Sequence, residues 1–344
     1  MDDNNFPIDF IITWVDGNDP EWQAEKAQYK GIKGDSRANR YRDWDTLRYW
    51  FRGVEKFAPW VNNIFFVTWG HLPSWLNTDN PKLKIINHKD YIPEEWLPTF
   101  SSRTIDMNFH RIEELSEHFV YFNDDMFIIR PVERKEFFDK GLPVDAAVLN
   151  VIAPTGSDKN GSKLTGDSLY TSVFYDTCVI NRNFNKKNVI KNNRSKWFSL
   201  KYRKQLIKNY MLNTWNYFTG FKVVHLPYSY LKQTYKEVWE KEPEILSLAC
   251  EHRFRKATDV NHFVFSYWQF AEGNFMPRDL SVGSLMTICN DETQNKSIYD
   301  TICNQTKKFI CVNDQFSGDN YDEVNQNLVN SFEAILPEKS SFEL

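Results

Sequence analysis

The chain has 344 residues, 41% of them hydrophobic and 16% aromatic, with a formal charge of −4. That is enough apolar material for one large core or two smaller ones, which excludes a disordered or fibrous chain. No run of about 18 apolar residues occurs, and the start, "MDDNNFPIDF", lacks the basic and apolar regions of a signal peptide. The expectation is therefore a cytoplasmic protein. The five cysteines (Cys178, Cys250, Cys289, Cys303, Cys311) form no C-x-x-C pair, which argues against a disulfide framework or a zinc cage and for reduced, mostly buried thiols.

From the N-terminus, short apolar runs alternate with helical spacing. "DFIITWV" (9–15), "NIFFVTW" (63–69), "LKIINH" (83–88) and "FVYFN" (119–123) read as buried strands, each ending in polar or turn residues. Between them, "RDWDTLRYWFRGVEKF" and "SSRTIDMNFHRIEELSEH" have helical periodicity. In the second, Ile105, Phe109, Ile112 and Leu115 share one face behind a serine able to cap it, and Arg103, Asp106 and His110 lie on the opposite face. Strand–helix alternation predicts a doubly wound α/β sheet with its ligand at the carboxyl ends of the strands.

Those strand ends carry acids. The first runs into "WVDGNDPEW", with Asp16, Gly17 and Asp19; the fourth ends in "NDD", Asn123, Asp124 and Asp125. A D-G turn alone is commonplace. Carboxylates gathered at one sheet edge repel unless a cation lies between them, and hard oxygen ligands suit Mg²⁺ or Mn²⁺ on a diphosphate. "ICVND" (310–314) is a fifth strand candidate, which would bring Asn313 and Asp314 to the same edge if it joins the same sheet.

Between Thr177 and Lys236 stand 13 Lys or Arg and no Asp or Glu. Such a block is either a solvated helical face or a surface for an anionic polymer or lipid headgroups. Nucleic acid is not expected, since the whole chain is acidic and carries no nucleic-acid motif. Residues 133–222 lack clear periodicity and are expected to form an inserted, mainly helical basic lid. The remaining divisions are an α/β core over 8–130, a second half of that core over 223–317 and an acidic, peripheral C-terminal helix over 318–344, all within one catalytic domain.

Four blocks carry a resemblance to the Stealth family, which includes bacterial capsular polysaccharide phosphotransferases and the catalytic subunit of animal N-acetylglucosamine-1-phosphotransferase. They are "IDFIITWVDGNDPEW"; "RYRDWDTLRYWFRGVEKFAPWVNNIFFVTWGHLPSWL" through "FVYFNDDMFI"; "HLPYSYLKQTYKEVW" with "HRFRKATDVNHFVFSYWQF"; and "KKFICVNDQ". The resemblance implies a Rossmann-like, glycosyltransferase A-like sheet. It also implies transfer of a sugar 1-phosphate from a nucleotide-sugar donor, typically a UDP-sugar, to a hydroxyl of a glycan acceptor, free or lipid-linked, with release of UMP. By position, Asp16, Gly17 and Asp19 match the first block's turn, Asp124 and Asp125 the acidic pair, His225 the third block's histidine, Arg255 its arginine, and Asn313 with Asp314 the fourth block's pair. Gln315 departs from the pattern.

Attack of a hydroxyl on phosphorus needs a proton acceptor, positive charge on the phosphoryl oxygens and stabilisation of the departing nucleotide. His225 ranks first as acceptor because an imidazole titrates near neutrality, and Asp19 second. Arg255 is the expected phosphate clamp. Asp124, Asp125 and Asp314 are the expected ligands of Mg²⁺ or Mn²⁺. Asp16, Gly17, Arg48, Arg103, His110, Arg111, Asn123 and Asn313 are the candidate substrate contacts. Two other readings are open: a metal-dependent glycosyltransferase releasing UDP, and a non-catalytic polysaccharide-binding or assembly protein. If the basic block binds anionic lipid, the protein sits peripherally at the inner face of the plasma membrane.

Overall fold

The computed structural model describes residues 6–29, 44–153 and 169–344. Its main sheet has five strands: β1 (Ile8–Thr13), β2 (Ile64–Thr68), β3 (Leu83–Asn87), β4 (His118–Phe122) and β8 (Tyr228–Leu231), ordered β3-β2-β1-β4-β8. The first four are mutually parallel and β8 is antiparallel to β4. A parallel sheet covered on both faces needs strands that are apolar throughout, and β2 and the first five residues of β1 are buried accordingly. All four N-terminal strands lie where the apolar runs put them, and the fold is α/β.

A second sheet, β10-β11-β5, is built from β5 (Met126–Ile128), β10 (Gly283–Ile288) and β11 (Phe309–Asp314). β10 and β11 run parallel, and β11 pairs antiparallel with β5. The "ICVND" strand thus forms, but in this second sheet rather than the first. It still reaches the acidic turn, because Asn123–Asp125 is the link between β4 and β5, and the Val312 amide donates to the Asp125 carbonyl at 2.8 Å. The helix Leu47–Phe57 buries Trp50, Phe51, Val54 and Phe57 and lies against β5. Contact is so close that a Cβ on Gly53 would stand 2.6 Å from the Ile128 carbonyl oxygen.

Other expectations need correction. The helix predicted over 102–117 stops at Met107, followed by a single turn at Phe109–Arg111. Asn108 ends it: its side-chain amide takes the Thr104 carbonyl at 2.7 Å, the acceptor that its own backbone N–H would otherwise have used. Ser101 precedes the helix without a side-chain capping bond. The supposedly polar face is buried, with Arg103 and Asp106 only 5% and 2% exposed. The cysteines are all free, yet only Cys250 and Cys311 are buried; Cys178 and Cys303 are exposed, on the outward sides of helices.

The region 133–222 is not helical throughout. A single turn at Arg134–Glu136 is followed by β6 (Phe138–Asp139) and β7 (Leu142–Asp145), which with β9 (Met276–Pro277) make a third small sheet. Helices follow at Leu169–Asn183, Lys186–Asn192, Arg194–Trp197 and Leu206–Leu212. Two cations of the basic block are paired with acids from elsewhere in the chain, and others donate to backbone carbonyls. Arg203 makes two 2.8 Å bonds to Asp279, Arg182 pairs with Glu242, and Lys196 donates to the Gly273 carbonyl at 2.6 Å. Lys186 is buried against the Leu212 and Trp215 carbonyls, and burial pulls its pKa down to about 8. The C-terminal segment is not a peripheral tail either. Helix Tyr321–Ile335 buries Val324, Leu328, Phe332 and Ile335, and Arg52 grips Glu343 through two nitrogens at 2.8 and 2.9 Å.

Candidate active site

Because β1 and β4 are parallel and paired through Ile12 and Phe122, the residues that follow them emerge side by side. Trp14 and Val15 from one strand and Asn123–Asp125 from the other line a cavity of about 750 Å³, within the usual size range of ligand pockets. The end of β11 adds Asn313 and Asp314. His225, just before β8, and Arg255, in the loop after the helix Pro243–Cys250, complete the charged wall.

His225 is held at both ring nitrogens. Nδ1 lies 2.8 Å from the Tyr228 hydroxyl and Nε2 lies 3.4 Å from the Asn123 amide nitrogen. Burial drives the Tyr228 phenol well above its usual pKa, so it stays protonated. Asp125 Oδ2 is 3.8 Å from His225 Nε2, while Asp125 Oδ1 is buried with no hydrogen-bond partner. Asp125, His225 and Cys311 also lie close enough together to share an ion. However, burial first and then Asp125 push the Cys311 thiol far above its usual pKa, which keeps it a neutral, poor ligand. Asp314 is oriented by two donors, Trp44 Nε1 at 3.1 Å and the Phe316 amide at 2.8 Å.

The opposite wall is cationic over a buried acid. Arg255 donates to Ser102 Oγ at 2.5 Å. Arg103 lies behind it, bonded to the Lys256 carbonyl and 3.6 Å from Asp259; burial and the neighbouring Arg255 lower its pKa to about 10. Asp106 accepts from the Tyr121 hydroxyl at 2.9 Å, and burial raises its pKa to about 7. Lys208 and Lys222 also line the cavity, Lys208 bonded to Asn150 at 2.9 Å.

Of the residues expected from sequence, the cavity gathers Arg103, Asn123, Asp124, Asp125, His225, Arg255, Asn313 and Asp314. Six others are not among its lining residues. Asp19 caps the helix Pro20–Gln28, accepting from the Glu21 and Trp22 amides at 2.8 and 2.9 Å; those amides hold its carboxyl below the usual range, making it a weaker base. Asp16 and Gly17 build the turn before it: the Asp16 amide donates to His71 Nε2 at 2.8 Å and the Gly17 carbonyl accepts from Gln23. Arg48 pairs with Asp45 at 3.2 Å. Arg111 lies over Trp96 and Trp239. His110 packs on Tyr235 and Trp239, its pKa pushed down to about 3 by burial. The break at Asn108 explains the last two, since residues beyond it no longer continue the helical face of Arg103 and Asp106. Sequence reasoning missed Trp44, Tyr228, Lys208 and Lys222. The basic block announced the lysines, but nothing in its spacing says which of them turn inward.

The class this defines is an α/β protein with a charged cavity at the carboxyl ends of its parallel strands, acids and an imidazole facing guanidinium groups. Comparison with known sequences gives the family. Profiles of Stealth protein conserved regions 1, 2 and 4 match residues 6–34, 40–144 and 300–344. A capsular polysaccharide phosphotransferase, WcwK, of Streptococcus pneumoniae is 41% identical over 344 residues, covering 98% of each chain. A receptor polysaccharide phosphotransferase, WefC, of Streptococcus gordonii is 39% identical over 98% of this chain and 99% of its own. The chain belongs to the Stealth family. Among solved structures, that of galactosyltransferase LgtC with donor and acceptor sugar analogues aligns over 94% of this chain and 95% of its own, at 7% identity and a TM-score of 0.35.

Proposed function

We propose that this protein transfers a sugar 1-phosphate from a nucleotide sugar to a hydroxyl of a growing glycan in cell-surface polysaccharide synthesis. Support comes from the names of two relatives that match over nearly their whole length, both polysaccharide phosphotransferases. The single observation that carries the chemistry is the placing of His225 Nε2 between Asn123 and Asp125, in one cavity with Arg255.

In this reading, the Tyr228 oxygen accepts a hydrogen bond from His225 Nδ1–H, which leaves Nε2 as the unprotonated nitrogen on the cavity side. The acceptor hydroxyl attacks the phosphorus attached to the donor sugar, and its proton passes to Nε2. A new O–P bond forms, the P–O bond of the diphosphate bridge breaks, and its electron pair leaves on the nucleoside monophosphate. Asp125, 3.8 Å away, stabilises the imidazolium once it forms. Arg255, with Arg103 behind it, bears on the phosphoryl oxygens. Asp19, outside the cavity and lowered in pKa, has no part in the proton transfer.

A divalent cation fits the acidic turn. The unpartnered buried oxygen of Asp125 is the kind of atom that such an ion satisfies, and Asp124 and Asp314 line the same cavity. Those three would hold Mg²⁺ or Mn²⁺, whose charge would offset that of the donor diphosphate. His225 is kept for the proton. Among the described residues no helix is long and apolar enough to cross a membrane.

The test is to incubate the protein with Mg²⁺, a panel of UDP-sugars and a bacterial glycan acceptor, and to identify the nucleotide released. UMP, abolished by His225→Ala and by Asp125→Ala, is expected. UDP as the product would overturn the reading in favour of ordinary glycosyl transfer.

A further inference from the structure

A helix lying on the surface of a water-soluble domain normally turns its apolar side inward and its polar side outward. The helix Leu206–Leu212 rests Leu206 and Leu212 partly against the core, yet it also turns a second apolar side outward. Its one fully buried side chain is polar: Asn209 accepts from the Leu149 amide at 2.7 Å and donates to the Ala147 and Trp197 carbonyls at 2.8 and 2.6 Å. These three bonds fix the helix's rotation, so its outward face is not an accident of loose packing. That face carries Ile207, Tyr210 and Met211, at i, i+3 and i+4. With Leu200 before it and Trp215 and Tyr217 after it, these residues are between 55% and 85% exposed. Among the other large exposed apolar residues, Leu169, Tyr170 and Phe174 gather at the start of the helix Leu169–Asn183, whereas Leu72, Leu248 and Leu285 stand far apart in the sequence and need no explanation.

The charge around this segment selects what covers it. Lys201 and Lys204 belong to it, Lys187, Lys191 and Arg194 precede it, and no acid occurs from Thr177 to Lys236. A second copy of the chain meeting this face across a two-fold axis would bring two sets of cations together. A glycan or nucleic acid would leave Ile207 and Met211 in water. Exposed apolar and aromatic side chains in a segment whose sequence carries lysines and no acid match the boundary between anionic headgroups and acyl chains.

We propose that the segment 200–217 docks this protein on an anionic lipid bilayer, with Leu200, Ile207, Met211 and Trp215 entering the headgroup–acyl boundary and Lys201 and Lys204 meeting the phosphates. The charges of Arg182, Lys186, Lys196 and Arg203 are engaged within the fold, so the docking surface is this shorter stretch and not the whole basic block. Lys208, on the same helix, lines the catalytic cavity together with Leu169 and Tyr170. Docking therefore sets one wall of the cavity near the membrane, where an acceptor glycan carried on a lipid would enter. Only that last consequence rests on the proposed transfer reaction.

The experiment is co-sedimentation of the whole protein with phosphatidylcholine vesicles, with and without phosphatidylglycerol, alongside light scattering in their absence. Wild type is expected to bind only the anionic vesicles, less tightly as salt rises. Ile207→Ser/Met211→Ser/Trp215→Ser should weaken binding on the order of a hundredfold, and Lys201→Glu/Lys204→Glu at least about tenfold. Both variants should melt at the wild-type temperature. Failure of wild type to bind, or undiminished binding by the triple variant, overturns the proposal; so does a wild-type dimer that the triple variant converts to monomer. UMP release with a soluble acceptor, measured on the same preparations, should be unchanged. Its absence from wild type that still binds vesicles would count against the transfer reading alone.

Discussion

Replacing Tyr228 by phenylalanine removes one oxygen atom and leaves the ring, which packs between Tyr121, His262 and Phe263, in place. The lost hydroxyl is the partner of His225 Nδ1 at 2.8 Å. Its removal leaves a ring nitrogen without its partner, a loss of about 1–3 kcal/mol, and frees the imidazole to adopt the other tautomer or turn away from Asn123. If that loss falls on the transition state, kcat drops by about 5- to 160-fold at 1.36 kcal/mol per factor of ten. KM for the donor stays near wild type, because Tyr228 is 3% exposed and touches substrate only through His225. His225→Ala, which deletes the base itself, should cost about 10²–10⁴. The assay is release of nucleoside monophosphate at saturating donor, with thermal melts on the same samples. A Tyr228→Phe kcat within twofold of wild type would refute the tautomer argument, and a variant that melts many degrees lower would show Tyr228 to be a folding residue instead.

Three further outcomes follow from burial and packing. Burial raises the Asp106 pKa from 3.8 to about 7, so the folded state binds the extra proton; the resulting stability is fully present below pH 3.8 and is lost as pH rises through about 7, by up to about 4 kcal/mol. Asp106→Asn should therefore flatten the decline in melting temperature between pH 5 and 8, and an unchanged slope would discount the shift. His88 and His110 have the opposite sign: burial lowers both to about 3, so their stability is present above pH 6.5 and disappears as pH falls toward 3, giving acid unfolding that His88→Gln should soften. Gly53→Ala would gain about 1 kcal/mol from helix propensity but places its methyl 2.6 Å from a backbone oxygen of β5, where overpacking costs about 1–3 kcal/mol or more; a net fall in melting temperature is expected, and a rise would refute the contact.

What the sequence disclosed about this site, and what it concealed, divides by the distance over which each signal acts. The ends of β1 and β4 were legible because a buried parallel strand must be an uninterrupted apolar run, so the first polar residue marks the sheet edge. Asp124, Asp125 and Asn123 follow from that alone. Asp314 was legible as a strand end but not as part of a second sheet, since the antiparallel pairing of β11 with β5 joins segments more than 180 residues apart. Helical periodicity misled at 102–117, because it cannot see Asn108 spending its side chain on the Thr104 carbonyl. That local hydrogen bond ends the helix after Arg103 and Asp106, whose burial comes from tertiary neighbours such as Asp259 and Tyr121, and leaves His110 and Arg111 on the aromatic surface formed with Trp239.

The basic block shows the same limit on a larger scale. Its charge is a compositional fact, yet which cations remain available depends on Asp279, Glu242 and carbonyls such as that of Gly273, none of which lies within it. Among the cations not held by those partners are Lys208 and Lys222, which line the cavity, and Lys201 and Lys204, which share the segment 200–217 with the exposed apolar side chains. One stretch of sequence thus serves two anionic targets: a phosphorylated donor on the inside and, by the docking proposal, a lipid surface on the outside. Asn209, buried between them, holds both faces in register. Asn209→Leu would keep the helix's bulk while abandoning three buried polar groups, at about 1–3 kcal/mol each, and should impair transfer and vesicle binding together. Loss of one without the other would mean that the two faces are not mechanically joined.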